Sequence, residues 1–258
     1  MDRTSLLVPF LERPADALVV SDFDGTLSAI VTNPDEAAPV EGAIDVLDRL
    51  SRHVGEVAII SGRPLEFLEQ WIPDRVTIFG LYGLESRRNG ERVDHPSAGA
   101  WRETINDVVE SAFRTGPIGT GVEPKGLSVT LHYRTHPEIE DEVLEWARAI
   151  EARTGLLARP ARMSVELHPP VDEDKGTVLG RLAADHDGPV LFAGDDVGDL
   201  PAFEALAALR ASGRHAVGVV IDNPESPDAL RSSADLVVDG PAAVVDLLDR
   251  IATGHVTH

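Results

Sequence analysis

Residues 17–27 read Ala-Leu-Val-Val-Ser-Asp-Phe-Asp-Gly-Thr-Leu, so a continuous apolar run ends in two aspartates and a glycine. Such a run is typical of a buried parallel strand, and ligands of α/β proteins bind at the carboxyl ends of these strands. Side chains two residues apart point the same way in extended backbone, so Asp22 and Asp24 are expected to share one small volume. The stretch predicts an α/β sheet with a carboxylate pair at a strand end.

The carboxylate pair suggests phosphoryl transfer. Two like charges in one small volume disfavour each other, and a divalent cation would relieve that repulsion. Asp22 would then act as the nucleophile that forms an aspartyl-phosphate, and Asp24 would protonate the leaving oxygen and later deprotonate water. Gly25 would permit the sharp turn that follows. By itself the stretch is equally compatible with an ordinary polar turn, in which Asp and Gly are common.

Composition narrows the class of protein. The 258 residues are 43% hydrophobic, which is enough for one large α/β domain or for a core with a second small domain. The formal charge of −21 argues against a nucleic-acid partner, which would need a basic surface. We find no apolar run long enough to cross a bilayer, no signal-peptide pattern and no cysteine. We therefore expect a globular cytoplasmic protein without a membrane partner.

The pattern along the chain predicts one sheet domain that is interrupted by an insert. Short apolar runs alternate with amphipathic helices over residues 1–85 and 169–258, which we predict to form a Rossmann-like core with a parallel sheet. This alternating pattern is interrupted over residues 86–168, beginning with a hairpin-like sequence at 88–91. Within this insert, residues 127–134 alternate between apolar and polar side chains, as in a half-buried strand. The insert is therefore predicted to be a separate α+β domain.

A second motif, Ser61-Gly62-Arg63, follows the next apolar strand and precedes a helix predicted from Pro64 to about Trp71. Free N–H groups and the Ser61 hydroxyl at that place would hold a phosphoryl oxygen. An ordinary helix cap explains the same residues.

Two further motifs lie in the second part of the core. Residues 194–199 read Gly-Asp-Asp-Val-Gly-Asp after another apolar strand, and their carboxylates suit a hard cation such as magnesium. An acidic loop with a helix cap at Asp199 is the plain alternative. Lys175 and Gly176 stand at the head of a helix, where the ammonium would face the phosphoryl group and Asp22. A solvated lysine is the plain alternative there.

The order of these four motifs along the chain resembles the haloacid dehalogenase superfamily of phosphatases. Within that superfamily, the insert resembles the lid of the trehalose-6-phosphate phosphatase family. This likeness spans nearly the whole chain and is carried by the following residues: Glu123-Pro124-Lys125-Gly126-Leu127-Ser128, His132-Tyr133-Arg134, Glu166-Leu167-His168-Pro169, Gly194-Asp195-Asp196 and Ala202-Phe203.

The resemblance implies roles for individual residues. Asp22 would be the nucleophile and Asp24 the general acid and base, while Ser61, Gly62 and Lys175 would hold the phosphate. Magnesium would be bound by Asp22, Asp195 and the backbone carbonyl of Asp24, with Asp196 and Asp199 acting through water or behind the ligands. The residues that would contact the sugar are Arg63, Glu123, Lys125, His132, Arg134 and Glu166.

The implied reaction is hydrolysis of trehalose 6-phosphate to trehalose and phosphate by a monomeric enzyme. A phosphatase for another sugar phosphate, such as sucrose phosphate or mannosyl-3-phosphoglycerate, remains open because the core motifs do not read the sugar. A non-catalytic sugar-phosphate sensor is a further alternative, although such a protein would be free to lose Asp22, Asp24 or Lys175. Two positions depart from the family, which often has His in place of Tyr82 and Thr in place of Gly198.

Overall fold

The computed structural model describes residues 3–31, 36–161, 163–222 and 228–254. The chain forms two compact units. We call the residues up to Val93 together with those from Glu173 onward the core unit, and residues Asp94–Asp172 the insert unit. Among the described residues, no helix has the length and apolar character that crossing a membrane would require.

The elements of the described residues are numbered in chain order. The strands are β1 Leu18–Ser21, β2 Glu56–Ile60, β3 Thr77–Gly80, β4 Glu85–Arg88, β5 Glu91–Asp94, β6 Gly121–Pro124, β7 Val129–His132, β8 Leu157–Ala161, β9 Ser164–His168, β10 Val190–Gly194, β11 Ala216–Asp222 and β12 Leu236–Asp239. The helices are α1 Arg3–Glu12, α2 Ala43–His53, α3 Leu65–Leu68, α4 Pro96–Gly99, α5 Arg102–Thr115, α6 Glu140–Thr154, α7 Lys175–Ala184, α8 Leu200–Ala211, α9 Asp228–Ser233 and α10 Gly240–Thr253.

The core unit is built on one sheet in the order β12-β11-β10-β1-β2-β3-β4-β5. The strands from β12 to β3 are parallel, and Val20 of β1 lies between Phe192 of β10 and Ala58 of β2. Helices α1, α2, α3 and α10 cover one face of the sheet, whereas α7, α8 and α9 cover the other. Burial on both faces explains the continuous apolar runs of these strands. The α/β fold class predicted from the sequence is confirmed.

The boundary of the two units differs from the one predicted. Residues 86–93 belong to the core unit, because β4 pairs antiparallel with β3 and β5 extends the same sheet. The turn of this hairpin is Asn89-Gly90, with φ values of 54° and 80°, which suits a tight hairpin loop. The return to the core comes at Glu173 rather than at residue 169. Sequence pattern reveals a hairpin but not the sheet to which it pairs.

The insert unit is a four-stranded antiparallel sheet in the order β6-β7-β9-β8. Apolar side chains of α5 and α6 pack on one face of this sheet, with Leu131 and Val165 at their centre. The strand predicted over 127–134 is shorter than expected, since β7 ends at His132 and the chain then turns. Polar side chains line the opposite face, as period-two alternation predicts.

Candidate active site

The predicted core residues follow neighbouring parallel strands. Asp22 comes directly after β1, Ser61 after β2 and Asp195 after β10, and these three strands are adjacent in the sheet. The Asp22 amide donates a hydrogen bond to the carbonyl of Ala193, which continues the ladder beyond the strand. The carboxyl ends of adjacent parallel strands meet at one edge, so residues far apart in sequence are brought together there.

Lys175 forms the centre of a buried charge cluster. Its Nζ lies 2.9 Å from Asp22 Oδ1 and 2.7 Å from Asp199 Oδ1, and all three side chains are no more than 6% exposed. Helix α7 presents Lys175 as its first residue, because Asp174 caps the helix and exchanges hydrogen bonds with Thr177. The predicted contact between Lys175 and Asp22 therefore exists, and Asp199 joins it.

The cluster holds more negative charge than one lysine can neutralise. Burial would by itself lower the pKa of Lys175, but Asp199 and Asp22 outweigh it and raise that pKa well above its ordinary value. Burial, followed by the charges of Asp199 and Asp196, raises the pKa of Asp195 to about 7. Burial also raises the pKa of Asp22 well above its usual range, opposed by Lys175 and reinforced by the neighbouring aspartates.

The excess charge fits a divalent cation. One carboxylate oxygen from each of Asp22, Asp195 and Asp199 lies within 4.8 Å of the others, and all three residues are buried. Carboxylate oxygens are the ligands that hard cations such as Mg²⁺ take. The donor set is thus compatible with a metal site. The third carboxylate of this cluster is Asp199, and the predicted ligand set, with the Asp24 backbone carbonyl in its place, stays a prediction.

Asp199 also shapes the loop in which Asp195 lies. Its Oδ2 accepts hydrogen bonds from the amides of Asp195 and Asp196, at 2.8 and 3.0 Å. A Cβ on Gly194 would lie 2.4 Å from the Asp199 carboxyl carbon, so glycine is required at that position. Asp199 occupies the N-cap position of α8 but makes no side-chain capping hydrogen bond to that helix, because its carboxylate bonds the loop amides and Lys175 instead.

The turn after β1 binds the loop after β10. Gly25 has a φ of 73°, and a Cβ at this residue would lie only 2.1 Å from Asp195 Oδ2. The Thr26 hydroxyl donates to Asp195 Oδ1 at 3.2 Å. Glycine at 25 is thus needed for two reasons, namely the left-handed backbone and the close approach of the Asp195 carboxylate.

Asp24 is bound by Arg63 in a bidentate pair. Arg63 donates from Nε to Oδ2 at 2.8 Å and from Nη2 to Oδ1 at 2.7 Å, so each carboxylate oxygen of Asp24 accepts one hydrogen bond. The guanidinium also stacks on the ring of Phe67, 4.4 Å from its centroid. Arg63 thus contacts the predicted general acid, and its contact with the sugar stays a prediction.

The loop after β2 is held by the turn after β3. Tyr82 donates its amide hydrogen to the Ser61 carbonyl at 2.9 Å, and its φ of 59° is unusual for an aromatic residue. A Cβ on Gly62 would lie 2.6 Å from the Tyr82 hydroxyl, so glycine allows the phenol to lie against the loop. The buried Ser61 hydroxyl accepts from the Arg63 amide at 3.1 Å.

Helix α3 ends at Leu68, earlier than predicted.

The predicted sugar-binding residues of the insert unit lie on or next to its polar sheet face. Glu123 Oε2 lies 2.7 Å from His132 Nε2 and 3.7 Å from Lys125 Nζ. Glu166 is buried and accepts from the Ser128 hydroxyl at 2.6 Å.

Arg134 is the exception among these predicted residues. It follows the end of β7 and is exposed, so the predicted alternation does not fix its direction.

Three residues that lie among the predicted site residues were given no role of their own by the sequence analysis. Thr26 bonds Asp195, Ser128 bonds Glu166, and Thr130 lies between Glu123 and Glu166 in the sheet. Period-two alternation does place Ser128 and Thr130 on the polar face, which is the signal that could have found them. No local pattern reveals the contact of Thr26, because its partner is 169 residues away.

The fold of this chain is that of the haloacid dehalogenase-like hydrolases. It resembles the crystal structure of such a hydrolase from Bacteroides thetaiotaomicron with a TM-score of 0.59 and 16% identity, over 91% of this chain and 99% of the other. A higher similarity is found to the C-terminal domain of trehalose-6-phosphate phosphatase from Candida albicans, with a TM-score of 0.76, 22% identity, and coverage of 98% and 97% of the two chains. At these identities the likeness shows the fold.

The chain belongs to the trehalose-phosphatase family, whose model matches residues 20–241. It is 33% identical over 254 residues to a trehalose-phosphate phosphatase of Mycobacterium ulcerans (strain Agy99), covering 93% of this chain. The chain spans 62% of the length of that relative. The matched residues include the whole insert unit and most of both parts of the core unit.

Proposed function

We propose that this protein is a phosphatase that hydrolyses trehalose 6-phosphate to trehalose and phosphate. The single observation that supports the proposal most is the buried cluster in which Lys175 joins Asp22 to Asp199 at the edge of the sheet. Membership of the trehalose-phosphatase family supports the choice of substrate.

Asp22 is the nucleophile in this proposal. A carboxylate oxygen of Asp22 attacks phosphorus while the bond from phosphorus to the sugar oxygen breaks, and an aspartyl-phosphate results. Lys175 orients the Asp22 carboxylate through its ion pair and is itself fixed by Asp199. Its positive charge also holds the phosphate. Ser61 and the Gly62 backbone follow β2 at the same sheet edge and hold a phosphoryl oxygen.

Asp24 carries the proton. It protonates the departing sugar oxygen, and it later takes a proton from the water that attacks the aspartyl-phosphate, releasing phosphate and restoring Asp22. Both Asp24 oxygens accept hydrogen bonds from Arg63, so neither is free to meet the departing sugar oxygen while the pair is intact. Arg63 must therefore release Asp24 before it acts as the acid, and a released Arg63 is available to contact the substrate.

The metal in this proposal is magnesium, which would be held by Asp22, Asp195 and the Asp24 carbonyl. When bound, it would act as a Lewis acid that offsets the negative charge of the phosphoryl group. Both oxygens of Asp199 already accept hydrogen bonds, from Lys175 and from two loop amides, so Asp199 orients the site rather than binding the ion.

Sugar recognition is assigned to the insert unit. Glu123 is fixed by His132 and Lys125, and Glu166 is fixed by Ser128, so both carboxylates have a defined direction for accepting sugar hydroxyls. Arg134 is exposed and can turn toward a ligand. A cytoplasmic location and a monomeric state remain predictions from the sequence.

A phosphate-release assay tests the proposal. Trehalose 6-phosphate should be hydrolysed faster than sucrose 6-phosphate, glucose 6-phosphate, mannose 6-phosphate and mannosyl-3-phosphoglycerate, and release should stop when EDTA removes divalent cations. Equal rates across the panel would refute the choice of trehalose.

The Asp22→Asn variant, checked for native circular dichroism, should lose activity by several orders of magnitude. Substantial residual turnover in a folded Asp22→Asn protein would mean that Asp22 is not the nucleophile. Saturable binding without turnover by the unaltered protein would instead favour a sugar-phosphate sensor.

A further inference from the structure

Thr130 has a feature that the proposed chemistry leaves unexplained. The residue lies in the middle of β7 and is 4% exposed, and its hydroxyl is buried without a hydrogen-bond partner among the residues that the structure describes. A hydroxyl can donate one hydrogen bond and accept two, and leaving all of them unmade in a buried place is unfavourable. A buried unsatisfied group in a folded protein calls for an explanation, and a missing ligand is one of them.

The neighbours of Thr130 indicate what that ligand is. Thr130 lies directly opposite Glu123 of β6 on one side and Glu166 of β9 on the other. Arg159 of β8 lies opposite Glu166 and continues the same row. Directly opposite residues of antiparallel strands point to the same face, with Cβ atoms about 5 Å apart. The polar face therefore presents a carboxylate, a hydroxyl, a carboxylate and a guanidinium side by side.

The two carboxylates are already oriented by other groups. His132 lies 2.7 Å from Glu123 Oε2, and Ser128 donates to Glu166 Oε1 at 2.6 Å. Neither of these contacts uses the Thr130 hydroxyl, although it lies between the two glutamates. A row of fixed acceptors with one hydroxyl between them suits a ligand that carries several adjacent hydroxyl groups, each of which both donates and accepts.

We propose that Thr130 is a specificity-determining residue whose hydroxyl hydrogen-bonds a sugar hydroxyl held between Glu123 and Glu166. The inference rests on the proposed function, because it assigns the sugar to the polar face of the insert sheet. It adds a residue that the sequence motifs do not mark, and it gives the orphaned hydroxyl a partner when substrate is bound.

The Thr130→Val variant tests the inference, since valine keeps the shape and removes only the hydroxyl. The free protein loses an unsatisfied polar group, so its midpoint of thermal unfolding should stay the same or rise. The KM for trehalose 6-phosphate should rise about tenfold, which corresponds to the loss of one hydrogen bond. The KM for p-nitrophenyl phosphate, which carries no sugar, should not change. Thr130→Ser keeps a hydroxyl and should retain the KM of the unaltered protein.

Thr120→Val is the matched control, because the Thr120 hydroxyl is also buried without a partner among the described residues. Thr120 precedes β6 and lies outside the row, so its replacement should leave both KM values unchanged. An unchanged KM in Thr130→Val, or an equal rise for both substrates, would overturn the inference.

The outcomes also separate the inference from the proposed function. If the unaltered protein prefers another sugar phosphate, the choice of trehalose is wrong, and the same comparison on the preferred substrate tests Thr130. If no sugar phosphate is hydrolysed, the proposed activity has failed, and calorimetric titration of both proteins with trehalose decides on Thr130. Equal affinity, or no binding of trehalose to either protein, would then count against the inference.

Discussion

Replacing Lys175 by methionine should destabilise the core unit strongly, because it removes the cation from a buried cluster of carboxylates. Lys175 bonds Asp22 and Asp199, and the three side chains are 3%, 6% and 0% exposed. Removing one partner of a buried ion pair costs about 3–5 kcal/mol. Since domains of ordinary stability unfold at about 5–15 kcal/mol, the variant should still fold, but with much of its free energy of unfolding lost.

The other lysine of the chain supplies the control. The chain contains two lysines, Lys125 and Lys175. Lys125 lies 3.7 Å from Glu123 and is 14% exposed, so its ion pair is longer and less buried. Replacing Lys125 by methionine should cost no more than about 1 kcal/mol. The same chemical change is therefore expected to have very different effects at the two positions.

Urea unfolding followed by tryptophan fluorescence measures the effect. Trp71 belongs to the core unit, whereas Trp101 and Trp146 belong to the insert unit. Phenylalanine at both insert positions leaves Trp71 to report the effect of Lys175→Met on the core unit, and phenylalanine at position 71 leaves Trp101 and Trp146 to report the effect of Lys125→Met on the insert unit. Comparison of the midpoint and slope with the matching background then gives the change in the free energy of unfolding of each unit.

A second substitution makes the reasoning refutable. Asp199→Asn removes one of the buried charges and keeps an oxygen that accepts from the amides of Asp195 and Asp196. In the Lys175→Met background it should recover about 1–3 kcal/mol, as expected for directly coupled residues. A loss below about 1 kcal/mol in Lys175→Met alone, or no recovery in the double variant, would show that the cluster is not held together by charge.

Two further predictions concern a backbone position and a buried histidine. Gly25→Ala should destabilise the protein and weaken magnesium-dependent activity, because a Cβ at position 25 would collide with Asp195. Gly90→Ala is the control, because Gly90 has a similar φ of 80° but a Cβ there would have no atom within 4 Å. It should cost only the backbone strain of about 1–2 kcal/mol. Thermal unfolding and phosphate release compare the two, and equal losses would contradict the steric argument. Burial lowers the pKa of His168, so the unfolded chain takes up this proton more readily, and the free energy of unfolding should fall as the pH drops below about 6.5. His168→Asn keeps a donor for the Pro169 carbonyl and should flatten that dependence in urea unfolding between pH 5 and 8; an unchanged slope would exclude His168 as its source.

The predictable part of the fold follows from patterns that span only a few residues. Continuous apolar runs identified β1, β2, β3, β10 and β11, because parallel strands buried on both faces need apolar side chains throughout. The hairpin at Asn89-Gly90 was visible for the same local reason. Its pairing with β3 was not, because strand partners are chosen by packing between distant segments.

The sequence by itself determined the chemical groups of the candidate site and their places at the ends of strands. Asp22, Ser61, Lys175 and Asp195 were found because each follows a strand or starts a helix, and local pattern marks such positions.

Only the tertiary structure decided which of these groups touch. Lys175 contacts both Asp22 and Asp199, and Arg63 contacts Asp24. The Thr130 hydroxyl has no hydrogen-bond partner within the part of the chain that the structure describes. Contacts between residues far apart in the chain depend on sheet order and register, and neither is encoded in any one segment.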